Sequence, residues 1–255
     1  MKIEGCVALV TGANRGIGEA LVQALLAAGA ARVHAAARDP ALFDRALLDD
    51  RRVAPMRLDV TRPDDCAAAA RAAGDVTLLV NNAGVSHYGV TLLDAGAPGN
   101  LREELEVNLF GILHMFRAFA PVLVKNRGAI ANILSGSAIQ HNPMIGSYSC
   151  TKAAALSMTV GMRALLRQHG LLVAAVVVGG VDTRMSRDIP SWATKSSPQE
   201  VATGILAGLA RDEEDIDPDP GAVATRARVG RDPKRAERHH DVRIRDLPQI
   251  KALGG

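Results

Sequence analysis

The sequence predicts an α/β protein, a single domain built on a doubly wound parallel sheet, and three observations carry that expectation. Short apolar runs alternate with helical stretches along most of the chain, the order that β-α-β units impose. A glycine-rich turn, Thr11-Gly12-Ala13-Asn14-Arg15-Gly16-Ile17-Gly18, joins the first apolar run to the first helical one. Of 255 residues, 48% are hydrophobic and only 3% aromatic, and an Ala- and Val-rich interior suits buried strands under closely packed helices.

Val7–Val10 is expected to be the first strand, and only a few residues precede it, too few for a signal sequence. A helix is expected over Ile17–Ala28. The rhythm then repeats as Val33–Ala37 with Pro40–Leu48, Val53–Leu58 with Asp64–Ala73, and Val76–Val80 with a longer helix around Leu101–Lys125. Asp39-Pro40 has the form of a helix N-cap followed by proline at the first helical position. Ala129–Leu134 supplies another strand, Tyr148–His169 a long helix, Leu171–Val178 a sixth strand, and Pro198–Ala210 a helix capped by Ser197. Arg167, His169 and Gly170 close the long helix with basic residues in its last turn and glycine just past it. No break in the rhythm marks a domain boundary. Residues 1–210 therefore form the main body, and residues 211–255 a charged extension of the same domain.

In that extension Asp212-Glu213-Glu214-Asp215 is acidic, and Arg226 to Arg245 is basic with interspersed acids. Such blocks form a solvated, salt-bridged surface or a loose tail, with helical turns expected near Ala222–Val229 and Pro233–His240. No aromatic residue is present there to stack a base, and the acids would repel phosphate, so no nucleic-acid partner is expected. The net charge of +3 is too small to require a polyanionic partner. Cys6, Cys66 and Cys150 have no metal spacing, which points to reduced thiols in a cytoplasmic protein and to no metal. No stretch is read as long and apolar enough to cross a bilayer.

Tyr148 and Lys152 carry the chemistry, because a spacing of four puts both side chains on one helix face. A free phenol titrates near about 10, so proton transfer at neutral pH needs a shift of roughly three units, or about 4 kcal/mol. One ammonium about 4 Å away supplies roughly that at an effective dielectric of 20. Lys152 is therefore expected to lower Tyr148. Glycines in the first turn let backbone amides approach a pyrophosphate at a helix N-terminus.

With these residues in view, the chain resembles the short-chain dehydrogenase/reductase family, whose Rossmann-type glycine motif is Thr-Gly-x-x-x-Gly-x-Gly. The resemblance runs over about residues 5 to 185, through Leu58-Asp59-Val60, Asn81-Asn82-Ala83-Gly84, Asn108, Ser135, Tyr148 and Lys152. It implies a cofactor site formed by Gly12, Asn14, Arg15, Gly16, Ile17, Gly18, Arg38, Asp59, Val60, Asn82, Ala83, Gly84, Tyr148, Lys152, Val181 and Thr183. It implies a catalytic set of Asn108, Ser135, Tyr148 and Lys152. Tyr148 would exchange the proton, Lys152 hold the phenolate and bond the ribose, Ser135 bond the reacting oxygen, and Asn108 anchor a water.

Members preferring NAD carry an acid at the end of the second strand, where this chain has Ala37 and then Arg38. With Arg15 this points to a 2′-phosphate and to NADP (NADPH). The expected activity is NADPH-dependent reduction of a small ketone or aldehyde. The alternatives are NADP-dependent oxidation of a secondary alcohol by the same groups, or a silent dinucleotide-binding regulator. Ser137 could add a second donor, His141 could line the pocket mouth, and Ser149 and Cys150 should point away. The family's Pro-Gly-x-Val-x-Thr reads Val178-Gly179-Gly180-Val181-Asp182-Thr183 here, which leaves the path of that loop open. A short lid is expected over about 184–196, with Trp192 its one aromatic. Family members pair through their long helices, so a homo-oligomer is expected, with Ala153, Ala154, Ala155, Met158 and Gly161 at the contact.

Overall fold

The computed structural model describes residues 1–187, 195–244 and 248–252. β1 (Val7–Thr11), β2 (Arg32–Ala37), β3 (Val53–Arg57), β4 (Leu78–Asn81), β5 (Ala129–Ile133), β6 (Leu172–Val176) and β7 (Asp215–Ile216) form one sheet in the order β3-β2-β1-β4-β5-β6-β7. Every pairing is parallel. The order reverses between β1 and β4, and a doubly wound sheet opens its ligand crevice at that point.

Two apolar cores flank the sheet because its central strands are buried on both faces, while the edge strand β3 keeps Pro55 and Arg57 exposed. On one side α1 (Gly16–Ala27) and α7 (Pro198–Ala210) cover Ala8, Val10, Leu78 and Val176. On the other, α3 (Pro63–Ala72), α5 (Gly111–Asn126) and α6 (Gly146–Leu166) cover Leu9, Leu79, Ile130 and Val173. Ser197 caps α7 as expected, its hydroxyl accepting from the Glu200 amide while the Glu200 carboxylate accepts from the Ser197 amide.

Several elements depart from the sequence expectation. The helix expected over Pro40–Leu48 is a 3-10 turn, Pro40–Leu42, followed by α2 (Arg45–Leu48). Phe43 adopts an extended conformation that carries its ring into the core, and the Asp44 carboxylate restarts the helix by accepting from Ala46 N at 3.0 Å. The long helix begins earlier, as α4 (Ala97–Leu105), and reaches α5 through a π turn at Glu106–Phe110. This continuous stretch, Ala97–Asn126, does have the length and composition of a bilayer-crossing helix, contrary to expectation. Its apolar stripe of Ile112, Met115, Phe119 and Leu123 is instead buried against the sheet.

Residues after Ala210 do more than make helical turns. Asp215–Ile216 pairs with Ala175–Val176 as a seventh strand. Arg163, almost fully buried on α6, holds it there: Nε donates to Val173 O at 2.8 Å, and Nη2 donates to Asp215 Oδ1 at 2.8 Å and to the Glu214 carbonyl. The helical turns expected beyond are α8 (Pro220–Arg231) and α9 (Pro233–Glu237), and the short α10 (Asp241–Ile244) and α11 (Pro248–Lys251) follow.

Candidate active site

One cleft of about 1270 Å³ runs along the carboxyl ends of the strands. Every residue assigned from the sequence lines it except Gly18, which lies beneath the glycine turn, and Asn108, which stands behind the wall.

At one end the backbone is shaped for an anion. Gly12 and Gly16 have φ of +65° and +57°, which side-chain-bearing residues rarely adopt. A Cβ on Gly18 would sit 2.2 Å from the Gly12 carbonyl oxygen. Asn82 locks this turn to β4, its Nδ2 donating to Thr11 O at 2.9 Å and Gly12 O at 3.2 Å. The Thr11 hydroxyl accepts from both Asn82 N and Ala83 N at 3.0 Å. Thr11 opens the glycine motif but has no place in the cofactor set that the resemblance implies, since its bracing role rests on contacts to a segment about 70 residues away. Arg15, the N-cap of α1, offers no side-chain cap, so the first-turn amides stay open for a negative group. The Thr183 methyl would lie 3.2 Å from a Cβ on Gly16, which brings the loop after β6 over the turn.

Arg15 and Arg38 are exposed at this end. The Asp59 carboxyl sits below its ordinary range: burial opposes this, but Thr61, bonding through both hydroxyl and amide, outweighs it together with Arg38 and Arg62. Asp39 accepts from Ala41 N at 3.0 Å as the N-cap. These features fit a dinucleotide: a cradle no Cβ could share, uncapped amides, and two guanidiniums at the far end.

At the other end Lys152, 4% exposed, donates from Nζ to Ile133 O at 2.9 Å and lies 5.6 Å from the centre of the Tyr148 ring. The expectation that Lys152 lowers Tyr148 is not what the protein shows. Burial raises Tyr148 to about 12, with Ser135 bonding pulling it down and the Glu104 charge pushing it up. Burial alone lowers Lys152 to about 8. Desolvation penalises both charged forms and is the largest influence on each.

Ser135 ends the strand–turn beside Tyr148, its Oγ accepting from Ser137 Oγ at 2.9 Å and Ser137 N at 3.2 Å. Ser137 thus lines the cleft and orients Ser135. The π turn aims Asn108 at Val85 and α6: Oδ1 accepts from Val85 N at 2.9 Å, and Nδ2 donates to Val85 O at 2.9 Å and Thr151 Oγ1 at 3.1 Å. Its side chain acts as a strut across the site. Asn81, Asn132 and Thr159 form a buried ladder from β4 through β5 to α6, with bonds of 2.8 and 3.0 Å. This ladder fixes the helix that carries Tyr148.

Ser149 turns away and bonds Ile145 O at 3.0 Å, and Cys150 is exposed outside the cleft. His141 does not line the cleft; it faces a small apolar recess formed with Thr91, Leu92 and Pro143. The path of the loop at Val178 is fixed by Asp219, whose Oδ2 accepts from Gly179 N at 2.8 Å, and by Gly136 N donating to Val178 O at 2.7 Å. Val181 is buried and bridges Ser196, and Ser186 Oγ accepts from Thr183 N at 3.1 Å. Trp192 and most of the expected lid lie outside the described residues.

The short chain dehydrogenase family model matches residues 6–194. The chain belongs to this family. It is 30% identical over 217 residues to a 3-oxoacyl-(acyl-carrier-protein) reductase of Vibrio cholerae, covering 81% of this chain and 86% of that one. It is 33% identical over 228 residues to a galactitol 2-dehydrogenase of Rhizobium johnstonii, covering 80% and 88%. A short chain dehydrogenase from Burkholderia cenocepacia, solved in complex with NADP, superposes with a TM-score of 0.87 at 41% identity, covering 92% of this chain and 97% of that one. A Burkholderia phymatum relative solved with NAD gives 0.80 at 25% identity, covering 92% and 96%. As a family member, the protein is an oxidoreductase acting between an alcohol and a carbonyl.

The glycine turn yields a direct test. A methyl on Gly18 must push aside the Gly12 carbonyl, which is backbone and already held by Asn82. Gly18→Ala should therefore lower stability by about 1–3 kcal/mol, the usual scale of overpacking. Urea unfolding that leaves the midpoint unchanged would show that the turn has slack.

Proposed function

We propose that this short-chain dehydrogenase reduces a ketone or aldehyde with NADPH, using Tyr148 as the acid. The observation that carries this reading is the convergence of a half-buried phenol, a buried ammonium and an oriented serine at one end of a cleft whose other end is shaped for a dinucleotide. The uncapped amides of α1 would take the pyrophosphate, Asp59 and Val60 would lie along the adenine, and Val181 and Thr183 would flank the nicotinamide end. NADPH, when bound, supplies the hydride. Ser135 would bond the carbonyl oxygen and stabilise its developing charge. Tyr148 would give that oxygen a proton. Lys152 would hold the phenolate that remains and bond the ribose. Oxidation of an alcohol by the same groups requires Tyr148 to start as the phenolate, which its burial disfavours. A silent regulator has no chemical use for this complete set.

Three observations support NADP. Arg15 and Arg38 both line the adenine end. The Asp39 carboxylate is engaged as a helix cap. The Burkholderia cenocepacia relative was crystallised with NADP, although the NAD complex of the Burkholderia phymatum relative means that the fold alone does not decide the cofactor. Pairing of two copies through the long helices is supported by Phe110, Val160 and Leu165, apolar side chains 40%, 52% and 61% exposed on their outer faces. Of the small residues expected there, Ala153 and Gly161 are exposed, whereas Ala155 is buried against the sheet.

Consumption of NADPH with a panel of aldehydes and ketones tests the activity, and Tyr148→Phe should reduce it by about a hundredfold or more. Both Tyr148 and Lys152 must be protonated at the start, and protonated forms are lost as pH rises. Reduction should hold below neutral pH and be about half lost near 8, where half of Lys152 has given up its proton. A profile that falls through the acid range as pH rises would contradict this assignment.

For the cofactor, Arg15→Ala with Arg38→Asp should move the NADPH:NADH ratio of kcat/KM by at least about tenfold, the scale of one charged hydrogen bond. An unchanged ratio would return Asp39 to consideration as the ribose ligand. Light scattering at micromolar concentration should report at least a dimer, and a mass of 26.8 kDa would refute helix pairing.

A further inference from the structure

The wall of the cleft opposite the cofactor end is built by the charged extension, and its charge is one-sided. α8 packs onto the turn that carries Ser135: Thr225 would lie 3.6 Å from a Cβ on Gly136. Arg228 is three residues further along α8, about 4.5 Å of helix rise, on the same face. Both line the cleft.

Arg228 is held in place. Its Nη1 donates to Gln140 Oε1 at 2.7 Å, and Gln140, 6% exposed, is anchored in turn by donating to Ala236 O at 2.7 Å. Among the described residues, Nε and Nη2 of Arg228 have no partner. Among the described residues, no acid of the extension pairs with them. Asp217 pairs with Arg226, Asp219 holds Gly179 and caps α8, Asp232 caps α9, and Glu237 pairs with Lys234. The acid that does line this end, Glu103, faces His87 at 3.1 Å. Arg184 lines the same region.

We propose that the substrate carries an anionic group, a carboxylate or a phosphate, near its carbonyl, and that Arg228 is the residue that binds it. This deepens the carbonyl-reductase reading and rests on it. The Ser135 turn would set where the carbonyl oxygen lies, and α8, packed on that turn through Thr225, presents the guanidinium to the same cleft. A guanidinium oriented by a buried glutamine presents a planar fork at no further ordering cost, which suits a bidentate anion. The charge therefore sets specificity, and the proton and hydride chemistry is left to the groups already described.

The test compares matched substrates with the NADPH-loaded enzyme: acetoacetate and levulinate against their methyl esters, and dihydroxyacetone phosphate against dihydroxyacetone. Wild type should favour the anionic member of at least one pair by about tenfold or more in kcat/KM, the carboxylate and phosphate arms separating the two sources of charge. In Arg228→Gln, which removes the charge and the fork, that preference should fall below about threefold. Arg228→Lys should keep part of it. Equal efficiency for neutral and anionic members in wild type, or a preference that survives in Arg228→Gln, would overturn the proposal. Calorimetric titration of levulinate and of inorganic phosphate into the NADP-bound enzyme reads the site without turnover. Binding by wild type that is lost in Arg228→Gln, with no NADPH consumed on any carbonyl, would sink the reductase reading alone. Absence of binding together with turnover of neutral ketones would sink the anion site alone.

Discussion

A parallel sheet covered by helices on both faces can place polar chemistry only along its ends, and everything functional in this protein follows from that constraint. Its central strands turn no polar face toward water. The groups that would bind and react accordingly sit where strands stop: the glycine turn after β1, Asn82 after β4, Ser135 after β5 and the Val178–Thr183 loop after β6. The sheet's reversal between β1 and β4 opens the crevice, and the strand spacing sets how far apart the two ends of a ligand can be held.

Burial also sets the electrostatics of the reaction end. The attraction between Lys152 and Tyr148 computed for exposed charges is overtaken by the desolvation of both. The protein holds a protonated phenol beside an ammonium whose own proton is loosened. Such a pair is poised to stabilise a phenolate formed during turnover, because an added positive charge or a departing proton is felt strongly in a low dielectric. The same pair is poorly set to hold a phenolate at rest.

Features that depend on local spacing were legible in the sequence. The glycine turn, the Asn81–Gly84 run and the Tyr148–Lys152 pair lie within a few residues of a strand end or share one helix face. Neighbours along the chain settle where they go, and the structure assembles all of them on one cleft. What escaped notice depends on contacts between distant segments. β7 has only two residues in register, too few to show alternation, and Arg163 holds it from 52 residues away. The π turn at Glu106–Phe110 has no composition of its own; it shows itself only through the bonds Asn108 makes to Val85 and Thr151. Phe43 breaks an otherwise plausible helix because the core offers its ring a place.

The extension after Ala210 is where pattern is weakest and consequence greatest. Its alternating charges suggest a solvated surface, and Glu213, Asp217, Asp232 and Glu237 do end in local pairs and caps. Asp219 does otherwise: it reaches across 40 residues to Gly179 and sets the loop that the missing proline at Val178 would have stiffened. Once that aspartate and the neighbouring acids are engaged, α8 is left with an arginine that lines the cleft and, among the described residues, pairs with no acid. A family core that fixes hydride and proton transfer can then acquire a new substrate by changing a segment outside the core. In this chain the recognition surface and the support for the cofactor loop come from the same short helix, so substitutions at its base should disturb cofactor and substrate together, whereas substitutions one turn further along should touch the substrate alone.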